Sequence, residues 1–122
     1  MHAADVVQNL YHIVYYCDLL EMLKMTSLDV LILLLSGAAH DIDHPGNNNM
    51  FEIKSRSKLA ILYNEISILE NHHCASLFFI LDNNKETQCD IFCGFSDSER
   101  ANIRKLIIEN ILCTDMAKHA EI

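Results

Sequence analysis

The chain has 122 residues, one domain or part of one, and at this length about two-thirds of the unfolded surface is expected to be buried. A hydrophobic fraction of 51% supplies a core, and a net charge of −8, from 17 acidic and 9 basic residues, excludes the basic stripe of a nucleic-acid binder. The longest unbroken apolar run is VLILLL, residues 30–35, and even the segment from Leu28 to Ala39 is far short of the ~20 residues of a membrane span.

In chain order, Val6, Leu10, Ile13, Cys17 and Leu20 step by three and four, which predicts an amphipathic helix. A second helix is predicted from Ser27, read as its N-cap, to about Asp41. It is apolar on nearly every side and is expected at the centre of a helical bundle. Pro45 and Gly46 end it and open an Asn-rich turn. SRSKLAILYN, 55–64, predicts a short helix. SILENHHCASLFFIL, 67–81, opens with Ser67-x-x-Glu70, a capping box in form, and DNNKETQCD, 82–90, reads as a loop. SDSERANIRKLIIENILCTDMAKH, 96–119, opens with Ser96-x-x-Glu99 and carries a stripe of Ile103, Leu106, Ile107 and Ile111.

No strand-like alternation, hairpin signal, repeat or internal boundary interrupts this all-α pattern. One proline and three glycines leave few breakers. The chain begins and ends inside helical pattern, so it is expected to be part of something longer. Leu31, Leu34, Phe78, Phe79 and Ile107 are then expected to be only partly buried, or to need a partner.

The five cysteines, Cys17, Cys74, Cys89, Cys93 and Cys113, are odd in number and scattered, which fits reduced thiols in the cytoplasm. Cys89 and Cys93 are four apart without a second pair, so a metal role for them is not favoured. Most of the acidic excess reads as solvated helix surface.

The chemistry concentrates in HDIDHPGNNN, residues 40–49. Charge is costly to bury, yet this cluster leaves the greasiest segment of the chain. A rigid apolar helix ending in His40-Asp41, followed by Asp43 and His44, suits a divalent ion, which imidazole and carboxylate hold. A further ligand from elsewhere is required, and His2 is a candidate. His72 and His73 stand beside Glu70, and His119 lies near the end.

The stretches HAADVVQ (2–8), AAHDIDHPGNNN (38–49), LYNEISILENHH (62–73), CDIF (89–92) and TDMAKH (114–119) resemble the class I 3′,5′-cyclic nucleotide phosphodiesterases of the HD superfamily. The motifs come in that family's order and cover essentially the whole chain. The resemblance implies an all-α helical bundle of the HD-domain, cyclic nucleotide phosphodiesterase type, incomplete here, with residues 1–122 as the metal-binding first half of a catalytic domain. It implies zinc and a second divalent ion, magnesium or manganese. His2, His40 and Asp41 are then metal ligands, with Asp41 shared by both ions. His44, Asn49, Glu70 and Thr114 surround the metals, His44 beside Asp41 in the catalytic group, and Met116 lines the nucleotide pocket. Asp5, Asp43, His72, His73 and Asp115 are expected to orient or support.

The implied reaction is hydrolysis of a cyclic nucleotide to a 5′-monophosphate, in cyclic nucleotide signalling. The family opens this region with His-Asn-x-x-His, and only the second of those histidines is present, as His2. The general acid is therefore expected upstream of Met1, and the remaining half of the catalytic domain, with the fourth zinc ligand and the base pocket, is expected as a partner. By itself this chain is expected to be inactive. The alternative is a truncated, non-catalytic metal-binding or interaction module. The expected location is the cytoplasm, with any membrane association left to segments outside this chain. The choice between cyclic AMP and cyclic GMP is not written in these residues.

Overall fold

The computed structural model describes residues 1–83 and 90–121, with side chains to His119. Among the described residues seven α-helices follow one another and there is no strand: α1 His2–Tyr16, α2 Leu19–Met22, α3 Ser27–Ala39, α4 Asn49–Ser55, α5 Lys58–Leu62, α6 Ile68–Asp82 and α7 Asp97–Leu112. A 3-10 segment, Met116–Glu121, comes after them. The predicted loop at 82–90, with Cys89, lies largely outside the described residues.

Helix α3 begins one residue earlier than its composition suggests. Thr26, not Ser27, is the N-cap: its hydroxyl accepts from the Asp29 amide at 3.1 Å, and Asp29 accepts from the Thr26 amide at 2.8 Å. Each bond occupies a backbone donor that the first turn leaves without a helical partner. From there α3 runs between α1 and α7 and also meets α6. Ile32 and Ala39 of α3 join Cys74, Leu77, Phe78 and Leu81 of α6, Ile103, Ile107 and Ile111 of α7, and Phe92 in one buried cluster. Each isoleucine, leucine and phenylalanine among them contributes about 1.5–3 kcal/mol when fully buried. Inside the α3–α7 seam Asn110 donates to the Ser36 hydroxyl at 3.2 Å, and Ser36 donates to the Ile32 carbonyl at 2.7 Å, so the buried polar atoms are satisfied.

Several expectations are corrected. The first helix stops at Tyr16, because Asp18 takes a left-handed backbone with φ of 59°, and Leu20 belongs to the separate α2. Ile13 and Cys17 are exposed, while Val14 is fully buried. The Asn-rich turn leads into α4, capped by Asn48, whose side-chain oxygen accepts from the Phe51 amide. The last helix ends at Leu112 rather than running on to His119. Ser67 and Glu70 form no capping box. Phe78 and Ile107 are buried, Phe78 with the Arg104 guanidinium 4.2 Å over its ring. Leu31 and Phe79 are exposed as expected, and Leu34 is half-buried.

Exposed apolar side chains also gather at the end of α1 and on α2, where Tyr16, Met22 and Leu23 face outward. No helix among the described residues is long and apolar enough to cross a membrane.

Candidate metal centre

The site forms where the start of α1 meets the end of α3. His2 lies in the first turn of α1, His40 is the C-cap of α3 and Asp41 follows it. Three ligand atoms from positions 38 residues apart converge. His2 Nε2 lies 3.1 Å from His40 Nε2, and Asp41 Oδ2 lies 3.3 Å from the first and 3.1 Å from the second.

Second bonds set the ring orientations. His40 Nδ1 donates to the Gly37 carbonyl at 2.7 Å, so the neutral ring keeps its Nε2 lone pair free toward Asp41. His73, 2% exposed on α6, donates from Nδ1 to the Ile42 carbonyl at 2.6 Å and turns Nε2 toward Asp41 Oδ1 at 3.8 Å. Burial pushes the His73 pKa below its ordinary value, against the opposing pull of the Ile42 carbonyl and the Asp41 charge. Burial thereby favours the neutral ring, the form that binds a cation. Asp41 thus points one oxygen at His2 and His40 and the other at His73.

His44 stacks on His73 with ring centres 5.5 Å apart. Its Nδ1 accepts from the Gly46 amide at 2.9 Å, which leaves Nε2–H as a donor in the neutral ring. Asn49 fixes Glu70: its amide donates to both carboxylate oxygens, at 3.0 and 3.1 Å, while its carbonyl accepts from the Leu69 amide. Thr114 donates to the Ile111 carbonyl at 2.7 Å. His40, Asp41, His44, Glu70, Thr114 and Met116 all line one open cleft of about 460 Å³, and Asn49 lines the adjoining one.

Every site residue read from the sequence is therefore near this cleft, His2 through its contacts with His40 and Asp41. Among the described residues two groups of three satisfy the spacing needed to hold a metal ion: His2, His40 and Asp41; and Asp41, His44 and His73. His73 is the residue the sequence reading undervalued. Its signal was present, since His73 follows Glu70 by three and shares its helix face. Cys113 and His119 also line the cleft and were not singled out for it. His72 and Asp43 pair with each other: His72 Nε2 meets Asp43 Oδ2 at 2.9 Å and ties the 41–44 turn to α6. Asp5 is exposed and joins neither group of three.

Sequence and fold comparisons place the chain in a family. The model of the 3′5′-cyclic nucleotide phosphodiesterase family matches residues 1–122, and the chain belongs to that family. It is 46% identical over 121 residues to the high affinity cGMP-specific 3′,5′-cyclic phosphodiesterase 9A of Homo sapiens, covering 99% of this chain and 20% of that protein. It is 44% identical over 119 residues to the 3′,5′-cyclic-AMP phosphodiesterase 4C of Mus musculus, covering 98% of this chain and 17% of that protein. The chain thus spans about a fifth of the length of these curated relatives. The phosphodiesterase domain of the RhoPDE fusion protein from the choanoflagellate Salpingoeca rosetta superposes with a TM-score of 0.82 at 35% identity, over 98% of this chain and 36% of that one.

Proposed function

We propose that residues 1–122 supply the divalent-ion centre of a 3′,5′-cyclic nucleotide phosphodiesterase, with zinc held by His2, His40 and Asp41 and a magnesium or manganese ion beside it. The observation that carries this reading is the convergence of His2, His40 and Asp41 at 3.1–3.3 Å. Two ligand atoms on a tetrahedral zinc with bonds of about 2.0–2.1 Å are about 3.3–3.4 Å apart, so the triangle is already close to the right size. The donor set of two imidazoles and a carboxylate suits that ion, and three ligands from this chain leave room for the fourth expected from the rest of the domain.

Bound divalent ions supply Lewis acidity toward the phosphoryl oxygens and lower the pKa of water. The residues of this chain do the rest. Asp41, with its two oxygens aimed at different histidines, serves both ions. Gly37 and Ile42 hold His40 and His73 in the tautomers that keep Nε2 free. His44, through Nε2–H, and Glu70, fixed by Asn49, orient water in the cleft, with Thr114 beside them and Met116 on its wall. A water oxygen attacks phosphorus and gives up a proton, the bond to the 3′ oxygen breaks, that oxygen takes up a proton and a 5′-monophosphate leaves. No residue of this chain is assigned that proton transfer.

The substrate class is a 3′,5′-cyclic nucleotide. Two relatives of nearly equal identity are named for different ones, cGMP and cAMP, so the choice is assigned to residues outside this chain. The exposed Leu31, Phe79, Tyr16 and Met22 support further packing against the remainder of a catalytic domain.

Titration of the purified chain with Zn²⁺ and Mg²⁺, followed by elemental analysis, tests the reading. About one zinc per chain is expected, lost in His40→Ala. Absence of divalent-ion binding at neutral pH, or binding unaffected by His40→Ala, would refute it.

A further inference from the structure

We propose that Gly37 is a positioning residue for the divalent-ion centre, setting the approach of α1 to α3 that brings His2 to His40. The inference rests on the metal reading above.

Glycine inside a helix costs about 1 kcal/mol relative to alanine, so a helical glycine calls for a packing reason. Gly37 is buried in α3, three residues before His40. A Cβ built there would lie 2.5 Å from Leu10 Cδ1, 3.4 Å from Val6 Cγ1 and 3.9 Å from Val7 Cγ2. Val6 and Leu10 are one and two turns beyond His2 on α1. The bare backbone of Gly37 is thus the surface against which the His2 helix seats. Its carbonyl is also the acceptor that fixes the His40 ring, at 2.7 Å. Both histidines take their positions from this one residue.

The tolerance is small. Metal–ligand distances hold to about 0.2 Å, while a Cβ at 37 would lie only 2.5 Å from Leu10 Cδ1, so any side chain there displaces Leu10. A single methyl meets only the end of the Leu10 side chain, which can turn away. The two further methyls of valine are stiff and compete with Leu10 for the apolar cavity of about 310 Å³ that Val6, Leu10, Gly37 and His40 line, and the proposal is that this competition pushes α1, and His2 with it, away from α3.

The test uses Co²⁺ as a spectroscopic probe on the 122-residue chain, reading visible absorption and dissociation constant, with helical content and thermal melt recorded on the same samples. Gly37→Ala is expected to stay within about threefold of the parent. Gly37→Val is expected to weaken Co²⁺ binding by about 10–100-fold, the range seen when a ligand loses its support. Gly37→Val with Leu10→Ala exchanges three carbons across the seam at constant volume and is expected to restore affinity to within about threefold. That rescue distinguishes positioning from simple damage, and it remains a test if Gly37→Val alone fails to fold. Parent-like affinity in a folded Gly37→Val, or a folded double variant that stays weak, overturns the proposal. A parent chain that binds no Co²⁺, or binds it equally well as His40→Ala, overturns the metal reading and this proposal with it. A parent whose binding depends on His40 but not on Gly37 overturns the proposal alone.

Discussion

Helices α6 and α7 begin with the same Ser-x-x-Glu spacing, and only α7 uses it locally. At α7 the Ser96 hydroxyl accepts from the Glu99 amide at 3.3 Å and the Glu99 carboxylate accepts from the Ser96 amide at 2.8 Å. At α6 the same two side chains are turned to distant partners. Ser67 has a left-handed backbone with φ of 42° and donates its hydroxyl to Asp115 at 2.7 Å, across 48 residues, while Glu70 is gripped by Asn49. Asn49 in turn caps α6 from outside by accepting from the Leu69 amide. The difference follows from location: α7 starts at the surface, and α6 starts at the cleft. Buried polar groups must find partners wherever the fold supplies them, and a residue held in an uncommon backbone region persists because its surroundings fix it.

The largest effect at the cleft end is expected from Asp41→Ala. It removes a carboxylate that faces both histidine groups, so zinc and the second ion should be lost together. Elemental analysis checks this, and retention of both ions would break the assignment of Asp41 as the shared ligand. Next, Glu70→Ala should weaken binding of the second ion by about 10–100-fold, as loss of an outer partner does, while Glu99→Ala at the α7 end should leave it unchanged. Calorimetric Mg²⁺ titration of the zinc-loaded chain separates the two, and equal effects would erase the contrast.

The serines sharpen the comparison in stability. Ser67→Ala strips a buried carboxylate of its hydroxyl donor and should cost about 1.5–3 kcal/mol, whereas Ser96→Ala should cost about 1 kcal/mol, as for a lost helix cap. Urea unfolding of metal-free protein measures both, and a smaller loss at Ser67 would count against the tertiary joint.

The mildest prediction concerns pH. Burial pushes the Cys74 thiol of α6 up to about 11 from its ordinary 9.0. The folded pKa is raised, so this stability is fully present below pH 9 and lost as pH rises toward 11, with a slope of at most about 1.4 kcal/mol per pH unit. Cys74→Ala should flatten that window. At α7 the sign is opposite: hydrogen bonds from Ser96 hold Glu99 below the usual carboxylate range, so its contribution is present above the unfolded pKa and fades as pH falls. Melting curves across both windows check the pair of signs.

Much of the architecture was legible in the chain because helical periodicity is local. The buried stripe of Ile103, Ile107 and Ile111, the Ser96 cap and the apolar post of α3 ending at His40-Asp41 follow from spacing and side-chain chemistry alone. Adjacent ligands such as His40 and Asp41 also declare themselves, since no folding is needed to bring them near. What the tertiary structure decided is everything that depends on a second element. Val14 rather than Ile13 is the buried residue of α1, because a register within one helix does not say which face meets a neighbour. Ser67 left its capping pattern because a nearer claim came from Asp115. His73 became a neighbour of Asp41 because α6 packs under the 41–44 turn, where the Ile42 carbonyl orients its ring. The reason is the same in each case. A helix and its caps are governed by interactions within about four residues, whereas a burial face or a partner is chosen by the competition of all buried polar and apolar groups at once.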